Sequence, residues 1–128
     1  MMNISAAAAA SGLPSKTVRY YADVNLVPAA GRSDTGYRLY DDASVRRLIF
    51  VRRSREFGFS IDECRELLGL YIDDQRPSSK VKRIASQKLA EIRKKQAELQ
   101  SLQDELSHLV DTCAGDHRPD CPILDYLG

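Results

Sequence analysis

The stretch SGLPSKTVRYYADVNLVPAAGRSDTGYRLY, residues 11–40, decides the fold of this chain. Gly12 ends a short predicted helix over residues 4–10. Pro14 opens a second predicted helix over residues 16–22, because proline is favoured at the start of helices. Two short helices joined by a glycine-containing turn have the outline of a helix-turn-helix, although many helical pairs share that outline.

The second half of the same stretch breaks the helical pattern. Pro28, Gly31 and Gly36 punctuate it, and the run Tyr-Arg-Leu-Tyr at residues 37–40 alternates in chemistry. This pattern predicts a short β-hairpin with its turn near residues 34–36. A hairpin in this place forms a wing, so the sequence predicts a winged helix-turn-helix.

Two further helices are predicted behind the wing. The first runs from Asp42 to Phe57, with apolar groups on one face and arginines on the other. Ser60 and Glu63 then form a capping box, which begins a helix that continues to about residue 70. The residues expected to face inward on that helix are Ile61, Cys64, Leu67 and Leu68. Cys64 is therefore interpreted as a small core residue.

A long helix, residues 80–112, is predicted after a polar, proline-containing link at residues 73–79. One face carries a heptad seam over four heptads, and the next step of the seam falls on Cys113. The seam positions are Val81, Ala85, Lys88, Ile92, Lys95, Leu99, Leu102, Leu106 and Leu109. Nothing else in the chain is long enough to cover this helix, so we expect a homodimer through a coiled coil, parallel or antiparallel.

The composition fits a soluble, helix-rich protein that forms either one compact domain with an extension or one small domain that completes its core by oligomerising. The chain has 128 residues, 43% hydrophobic and 29% charged, and a net charge of only +1. Residues 16–55 hold nine Lys or Arg and four Asp, whereas residues 96–128 hold one Arg and seven Asp or Glu. This asymmetry favours a head that binds a polyanion, although two solvated surfaces would give the same pattern.

Several classes of protein are not expected. No run of 18 apolar residues is present and the alanine-rich start lacks a basic region, so we expect neither a membrane span nor a signal peptide. The predicted location is the cytoplasm, where three cysteines indicate thiols or metal ligands rather than disulfides. We find no nucleophile paired with a base and no phosphate loop, so an enzyme is not expected.

The loop between Cys113 and Cys121 is the segment that most clearly suggests a metal or redox site. Its seven intervening residues include Gly, Pro and Asp, so the backbone can fold back and bring the two sulfur atoms together. Thiolates select soft ions such as Cu(I), and two ligands suit a two-coordinate ion better than the tetrahedral site that zinc prefers. A redox pair that closes a disulfide, or two inert cysteines, would also fit. His117 is interpreted as an exposed loop residue, and whether it contributes to the site stays open.

The motifs together resemble the MerR family of transcription regulators. The resemblance covers nearly the whole chain. The motifs are Thr17-Val18-Arg19-Tyr20-Tyr21, Asn25-Leu26-Val27-Pro28, Arg32, Gly36-Tyr37-Arg38-Leu39-Tyr40, Arg52-Arg53 and Glu56-Phe57-Gly58-Phe59-Ser60. Ser78 with Val81-Lys82, and Cys113 to Cys121 followed by Pro122-Ile123-Leu124, resemble the copper-responsive CueR branch.

The resemblance implies how such a protein acts on DNA. It implies a homodimer joined by an antiparallel coiled coil, in which each head binds double-stranded promoter DNA. The second helix would enter the major groove and carry Lys16, Arg19 and Tyr21. The wing region would hold phosphates through Arg32, Tyr37, Arg38 and Arg55. Metal binding would bend and untwist a promoter with an over-long spacer, so RNA polymerase is an indirect partner through that promoter.

The resemblance also implies a metal site at Cys113 and Cys121. Ser78 of the partner chain corresponds to a third cysteine ligand in divalent-metal relatives, and a serine hydroxyl is a poor ligand for soft ions. A serine before a long helix is also a plain N-cap, which would explain Ser78 without any metal. Cu(I) is therefore the expected metal. Ag(I) and Au(I) are alike in charge and softness, and the loop also resembles that of gold-responsive relatives.

The predicted architecture is mainly α. A winged helix-turn-helix head occupies residues 1–72, a linker 73–79, a coiled-coil dimerisation helix 80–112, and a metal-binding loop with a short terminal helix 113–128. The predicted function is a metal-responsive activator of efflux or detoxification genes. The alternatives are a thiol redox regulator of the same fold, a gold-selective sensor, and a metal-buffering protein whose head does not bind DNA.

Overall fold

A computed structural model describes residues 1–128, and it is mainly helical. The helices are α1 (Ile4–Ser11), α2 (Ser15–Asp23), α3 (Asp42–Glu56), α4 (Ile61–Ile72), α5 (Ser78–Thr112) and α6 (Pro122–Leu127), and the strands are β1 (Gly31–Arg32) and β2 (Arg38–Leu39). The chain divides into two compact units, Met1–Lys82 and Arg83–Gly128, which are described separately. None of the helices combines the length and apolar character needed to cross a membrane.

The first two helices confirm the predicted helix-turn-helix. Asn3 caps α1, because its side chain accepts a hydrogen bond from the N–H of Ala6 at 2.9 Å. Gly12 ends α1 with a φ of 75°, in the left-handed region that glycine adopts without strain. α2 then begins directly after Pro14.

The predicted wing is present as a two-stranded antiparallel hairpin. Arg32 pairs with Arg38, and Gly31 pairs with Leu39. Gly36 has a φ of 89° in the connecting turn, which explains why glycine stands there. A backbone bridge also joins Met2 to Tyr40, and in it each N–H donates to the other residue's carbonyl at 2.7 Å. No sequence pattern predicted this bridge.

Helices α3 and α4 complete the core of the first unit. Asp41 caps α3 by accepting hydrogen bonds from the N–H and the hydroxyl of Ser44, both at 2.8 Å, and these bonds lower the pKa of Asp41. Both bonds of the predicted capping box between Ser60 and Glu63 are present at the start of α4. The fully buried side chains of this unit include Val18, Val27, Tyr40, Leu48, Val51 and Cys64. Cys64 is thus a core residue, as predicted.

Helix α5 has 35 residues and begins at Ser78, two residues before the predicted start. Serine and lysine at residues 78–80 are compatible with a first helical turn. Helix α5 therefore begins directly after Pro77 and includes both serines. Much of the predicted seam is open to solvent in the single chain, with Leu99 66%, Leu102 60% and Leu106 54% exposed. After the cysteine loop, Pro122 opens α6, in agreement with the preference of proline for the first helical position, and Cys121 occupies the N-cap position. The predicted short terminal helix is therefore present.

Candidate DNA-binding surface and metal loop

The exposed side of α2 carries two of the predicted DNA-binding residues. Lys16 and Arg19 are both exposed, and neither has a hydrogen-bond or ion-pair partner for its charged group within the chain. Arg19 contributes only its backbone carbonyl to an internal contact, so its guanidinium is available for a ligand. The placement of both residues fits contact with a polyanion.

A groove of about 870 Å³ lies between α2, the wing and the start of α1. Four of the predicted site residues line it, namely Arg19, Arg32, Tyr37 and Arg38. Its other lining residues are Asn3, Ile4, Ser5, Ser33, Thr35, Gly36 and Leu39. Three guanidinium groups around one groove produce a positive surface suited to phosphate. Asn3 and Ser5 were missed as groove residues, although the N-cap pattern before α1 could have placed them at a helix start.

The three arginines of the groove are held differently. Arg32 donates to the carbonyl of Gly36 at 3.0 Å, which keeps its side chain along the wing turn. Arg38 donates to the carboxylate of Asp23 at 2.7 Å and, more weakly, to the carbonyl of Arg19 at 3.4 Å. Asp23 therefore offsets part of the positive charge of Arg38, and the pair fastens the wing to α2. Asp23 had not been singled out in the sequence, because its partner lies 15 residues away.

Tyr21 and Arg55 do not line the groove. Tyr21 is only 5% exposed, and its ring packs in the core of the first unit. Burial raises the pKa of Tyr21, and the positive charge of the nearby Arg55 opposes that shift. Arg55 also donates to the carbonyl of Phe59 at 2.8 Å, which spans the turn between α3 and α4. Tyr21 is therefore a core residue, whereas Arg55 is exposed and bridges the turn between α3 and α4.

The cysteine loop begins and ends at helix boundaries. The N–H of Cys113 bonds to the carbonyls of Leu109 and Val110 at 3.2 and 3.3 Å, so Cys113 continues the last turn of α5. Gly115 then turns the chain with a φ of 65°. Within the loop, Asp116 accepts two hydrogen bonds from Arg118, at 2.9 Å from its N–H and 2.8 Å from its guanidinium.

The donor atoms of the loop fit a soft ion with few ligands. Cys113 and Cys121 are half-buried, whereas His117 is exposed. No group of three or more His, Cys, Asp and Glu side chains that could hold a metal ion occurs in the chain. The chain by itself therefore lacks the four-ligand set of a structural zinc site, and its two thiols match the ligands that a soft monovalent ion accepts.

Helix α6 is tied back to α5 by one side-chain contact. The hydroxyl of Tyr126 donates a hydrogen bond to the carboxylate of Glu105. This bond and the negative charge of Glu105 raise the pKa of Tyr126. Helices α5 and α6, which flank the cysteine loop, are therefore linked by this hydrogen bond as well as by the loop itself.

Comparison with known families agrees with this geometry. Residues 2–70 match the family described as MerR HTH family regulatory protein, and residues 45–109 match the family described as MerR, DNA binding. The chain belongs to the MerR family. The resemblance seen in the sequence is therefore confirmed, and so is the mainly helical fold class of this MerR protein.

Individual relatives resemble this MerR protein over nearly its whole length. It is 52% identical to the transcriptional regulator HmrR of Rhizobium leguminosarum bv. viciae, over 98% of this chain and 97% of the relative. It is 43% identical to the transcriptional regulator CueR of Salmonella typhimurium, over 98% and 91% of the two chains. The crystal structure of the transcription regulator PbrR691 from Ralstonia metallidurans CH34, in complex with lead(II), has a TM-score of 0.84 and 33% identity, and it covers all of both chains. These relatives are transcription regulators, and none is an enzyme by its name.

Proposed function

We propose that this MerR-family protein is a Cu(I)-responsive transcription activator. Cys113 and Cys121 bind the ion, the dimer holds a promoter through its two heads, and metal binding alters the DNA so that transcription begins. The genes controlled are expected to encode efflux or detoxification of the same metal. We infer a cytoplasmic location, because the protein must reach its promoter.

The observation that carries the metal assignment is the donor set of the loop. Two half-buried thiols stand at the ends of a loop that offers no cluster of three ligands. Thiolates bind soft ions strongly, and a pair of them is sufficient for Cu(I). Ser78 is exposed at the start of α5 and would lie beside the partner chain's site, where its hydroxyl adds little affinity for a soft ion. A bound ion would supply a strong link between the two ends of the loop.

The DNA-binding half of the proposal rests on the groove and on α2. Lys16 and Arg19 would reach base edges or phosphates from α2, while Arg32 and Tyr37 would meet the backbone beside the wing. The ion pair between Arg38 and Asp23 holds the wing against α2. The exposed part of the Arg38 guanidinium can still donate to a phosphate. Tyr21 is proposed to support α2 from within the core, whereas the exposed Arg55 is proposed to hold the turn between α3 and α4 and stays available to a phosphate.

The open seam of α5 supports dimerisation. Exposed leucines at heptad spacing favour pairing with a second copy, because an unpaired helix of this length would leave a large apolar stripe in water. An antiparallel coiled coil would present the two heads to one face of the duplex. Two linked heads can bend the promoter, and a ligand that prefers one shape of the dimer shifts the balance between bent and unbent DNA. RNA polymerase then responds to the altered promoter.

Two alternatives remain within the same site. Ag(I) and Au(I) share the charge and softness of Cu(I), so a gold-selective sensor would use the same two thiols. A redox regulator would instead join Cys113 and Cys121 in a disulfide. Stoichiometric metal binding by the reduced protein distinguishes the metal sensors from the redox regulator.

Arg19→Ala is expected to weaken binding to a promoter duplex by about 10- to 100-fold, the loss typical of one arginine that contacts a base. Cu(I) stoichiometry should stay unchanged, because Arg19 belongs to the first compact unit and both cysteines belong to the second. Binding is measured by fluorescence anisotropy, and Cu(I) by anaerobic titration of the same preparation. Loss of both properties together would show that Arg19 is structural and would contradict its proposed role.

A further inference from the structure

The end of α2 is held in an unusual turn. The chain leaves the helix through Asn25, whose φ of 57° lies in the left-handed region. This conformation is strained for residues other than glycine, and asparagine tolerates it better than most. The N–H groups of Leu26 and Val27 both bond back to the carbonyl of Tyr21, at 2.8 and 3.0 Å. The turn therefore fixes where α2 stops and where the chain departs toward the wing.

Arg65 of α4 fastens this turn from outside the groove. Its guanidinium donates to the carbonyl of Asn25 at 2.8 Å and to the carbonyl of Val24 at 3.0 Å. Both carbonyls follow the last turn of α2 and have no later helical N–H to accept from. A forked cation at this end also offsets the negative pole of the helix. One side chain thus satisfies two terminal carbonyls across 40 and 41 residues of sequence.

The same helix is held on its wing side by Arg38. The Arg38 guanidinium donates to the carboxylate of Asp23 and to the carbonyl of Arg19. Arg38 of β2 therefore bonds to α2 itself, and Arg65 of α4 bonds to the turn that follows α2. Arg65 differs from Arg38 because it does not line the groove. Its side chain is exposed, yet both of its bonds go to backbone of the first unit.

We propose that Arg65 is a positioning residue for DNA recognition, which sets the pose of α2 without contacting DNA. The inference rests on the proposed function, because it requires α2 to read the duplex. Base readout depends on the angle and depth of a helix in the major groove, whereas phosphate attraction depends mainly on the number of positive charges. Loss of Arg65 should therefore reduce sequence discrimination more than it reduces general affinity.

The test uses the full-length protein and a duplex that the wild type selects from a random library. Arg65→Ala should bind this duplex about 10- to 100-fold more weakly, as if one or two base pairs were misread. Binding to unselected duplex of equal length should change by less than about twofold. The slope of log affinity against log salt should stay unchanged, since a lost phosphate contact lowers the slope by about 0.9.

Hydrogen exchange of the free protein provides a second readout. In Arg65→Ala, the backbone amides of residues 24–27 should exchange faster, while those of α3 keep the wild-type rate. Arg65→Lys keeps the charge but not the fork, so its discrimination should lie between those of the wild type and of Arg65→Ala. Arg53→Ala removes an exposed arginine of α3 that has no partner within the chain, and it should keep the wild-type discrimination.

Three results would overturn the inference. The first is unchanged discrimination in both Arg65 variants. The second is a smaller salt slope with unchanged exchange at residues 24–27, which would make Arg65 a phosphate contact. The third is a wild-type protein that selects no duplex, which would overturn the proposed function as well. If Arg65→Ala fails to fold, Arg65→Lys decides the matter by the same measurements.

Discussion

Replacing Cys113 with serine is expected to abolish the transcriptional response to Cu(I) and to leave promoter binding intact. A serine hydroxyl is not ionised near neutral pH and is a hard oxygen donor, so it cannot replace a thiolate that binds a soft ion. One remaining thiol cannot link the two ends of the loop. The measurement is transcription in vitro from a promoter bound by the wild type, with and without Cu(I), and output should remain at the uninduced level.

Cys64→Ala is the matched control for this substitution. Cys64 is fully buried in the head, so its removal takes away one thiol without touching the loop. The control should retain the response to Cu(I), with some loss of stability from the smaller side chain. Cys121→Ser should behave as Cys113→Ser does. A full Cu(I) response in Cys113→Ser would contradict the proposed site, and a response to oxidant alone would favour the redox regulator.

The double substitution Leu99→Lys with Leu106→Lys is expected to convert the dimer into a monomer and to remove tight DNA binding. Both leucines are exposed in the single chain and lie on the predicted seam. Burial of each leucine in an interface contributes about 1.5–3 kcal/mol, and a lysine ammonium in the same place would have to leave water unpaired. Sedimentation equilibrium measures the mass, and anisotropy with the promoter duplex measures binding.

Ser101→Lys with His108→Lys is the control for the seam. Both residues are exposed on the opposite side of α5, so this variant gains the same number of lysines without entering the seam. It should remain a dimer and keep DNA binding. If the Leu99 and Leu106 variant also remained a dimer, α5 would not be the dimerisation helix.

The local features of the head were predictable because they depend on interactions between residues that are close together in the sequence. The capping box at Ser60 and Glu63, and the wing turn at Gly36, each depend on residues that lie within a few positions of one another. The heptad pattern likewise predicted one long helix, although its start at Ser78 was placed two residues too late. Helix starts are hard to place where a proline and several small polar residues stand together.

The roles of the arginines were less predictable. The excess of positive charge in residues 16–55 pointed to the head as the part that binds a polyanion. It could not show which guanidinium groups face solvent and which bond to other parts of the fold. Arg38 is engaged by Asp23, and Arg65 closes the turn after α2, in pairs separated by 15 to 41 residues. Such contacts depend on how the helices pack, and periodicity carries no information about them. The burial of Tyr21 did have a local signal that was overlooked, because Tyr21 follows Val18 by three residues and therefore shares its apolar face of α2.

The cysteine loop shows a similar division between features that were predictable from the sequence and features that were not. The thiols and the helix that begins at Pro122 follow from the sequence, because proline is favoured in the first turn. The hydrogen bond from Tyr126 to Glu105 spans 21 residues and was not foreseen. This hydrogen bond links α6 to α5 without involving either cysteine. The two helices that flank the cysteine loop are therefore joined even when the cysteines bind nothing.

The most direct test of the central claim is an anaerobic Cu(I) titration of the reduced protein, combined with X-ray absorption at the copper edge. We expect one tightly bound ion per chain, two sulfur ligands and no nitrogen ligand, with binding lost in Cys113→Ser and in Cys121→Ser. Copper that is bound through three or more ligands, or that binds the cysteine variants as tightly as the wild type, would contradict this claim.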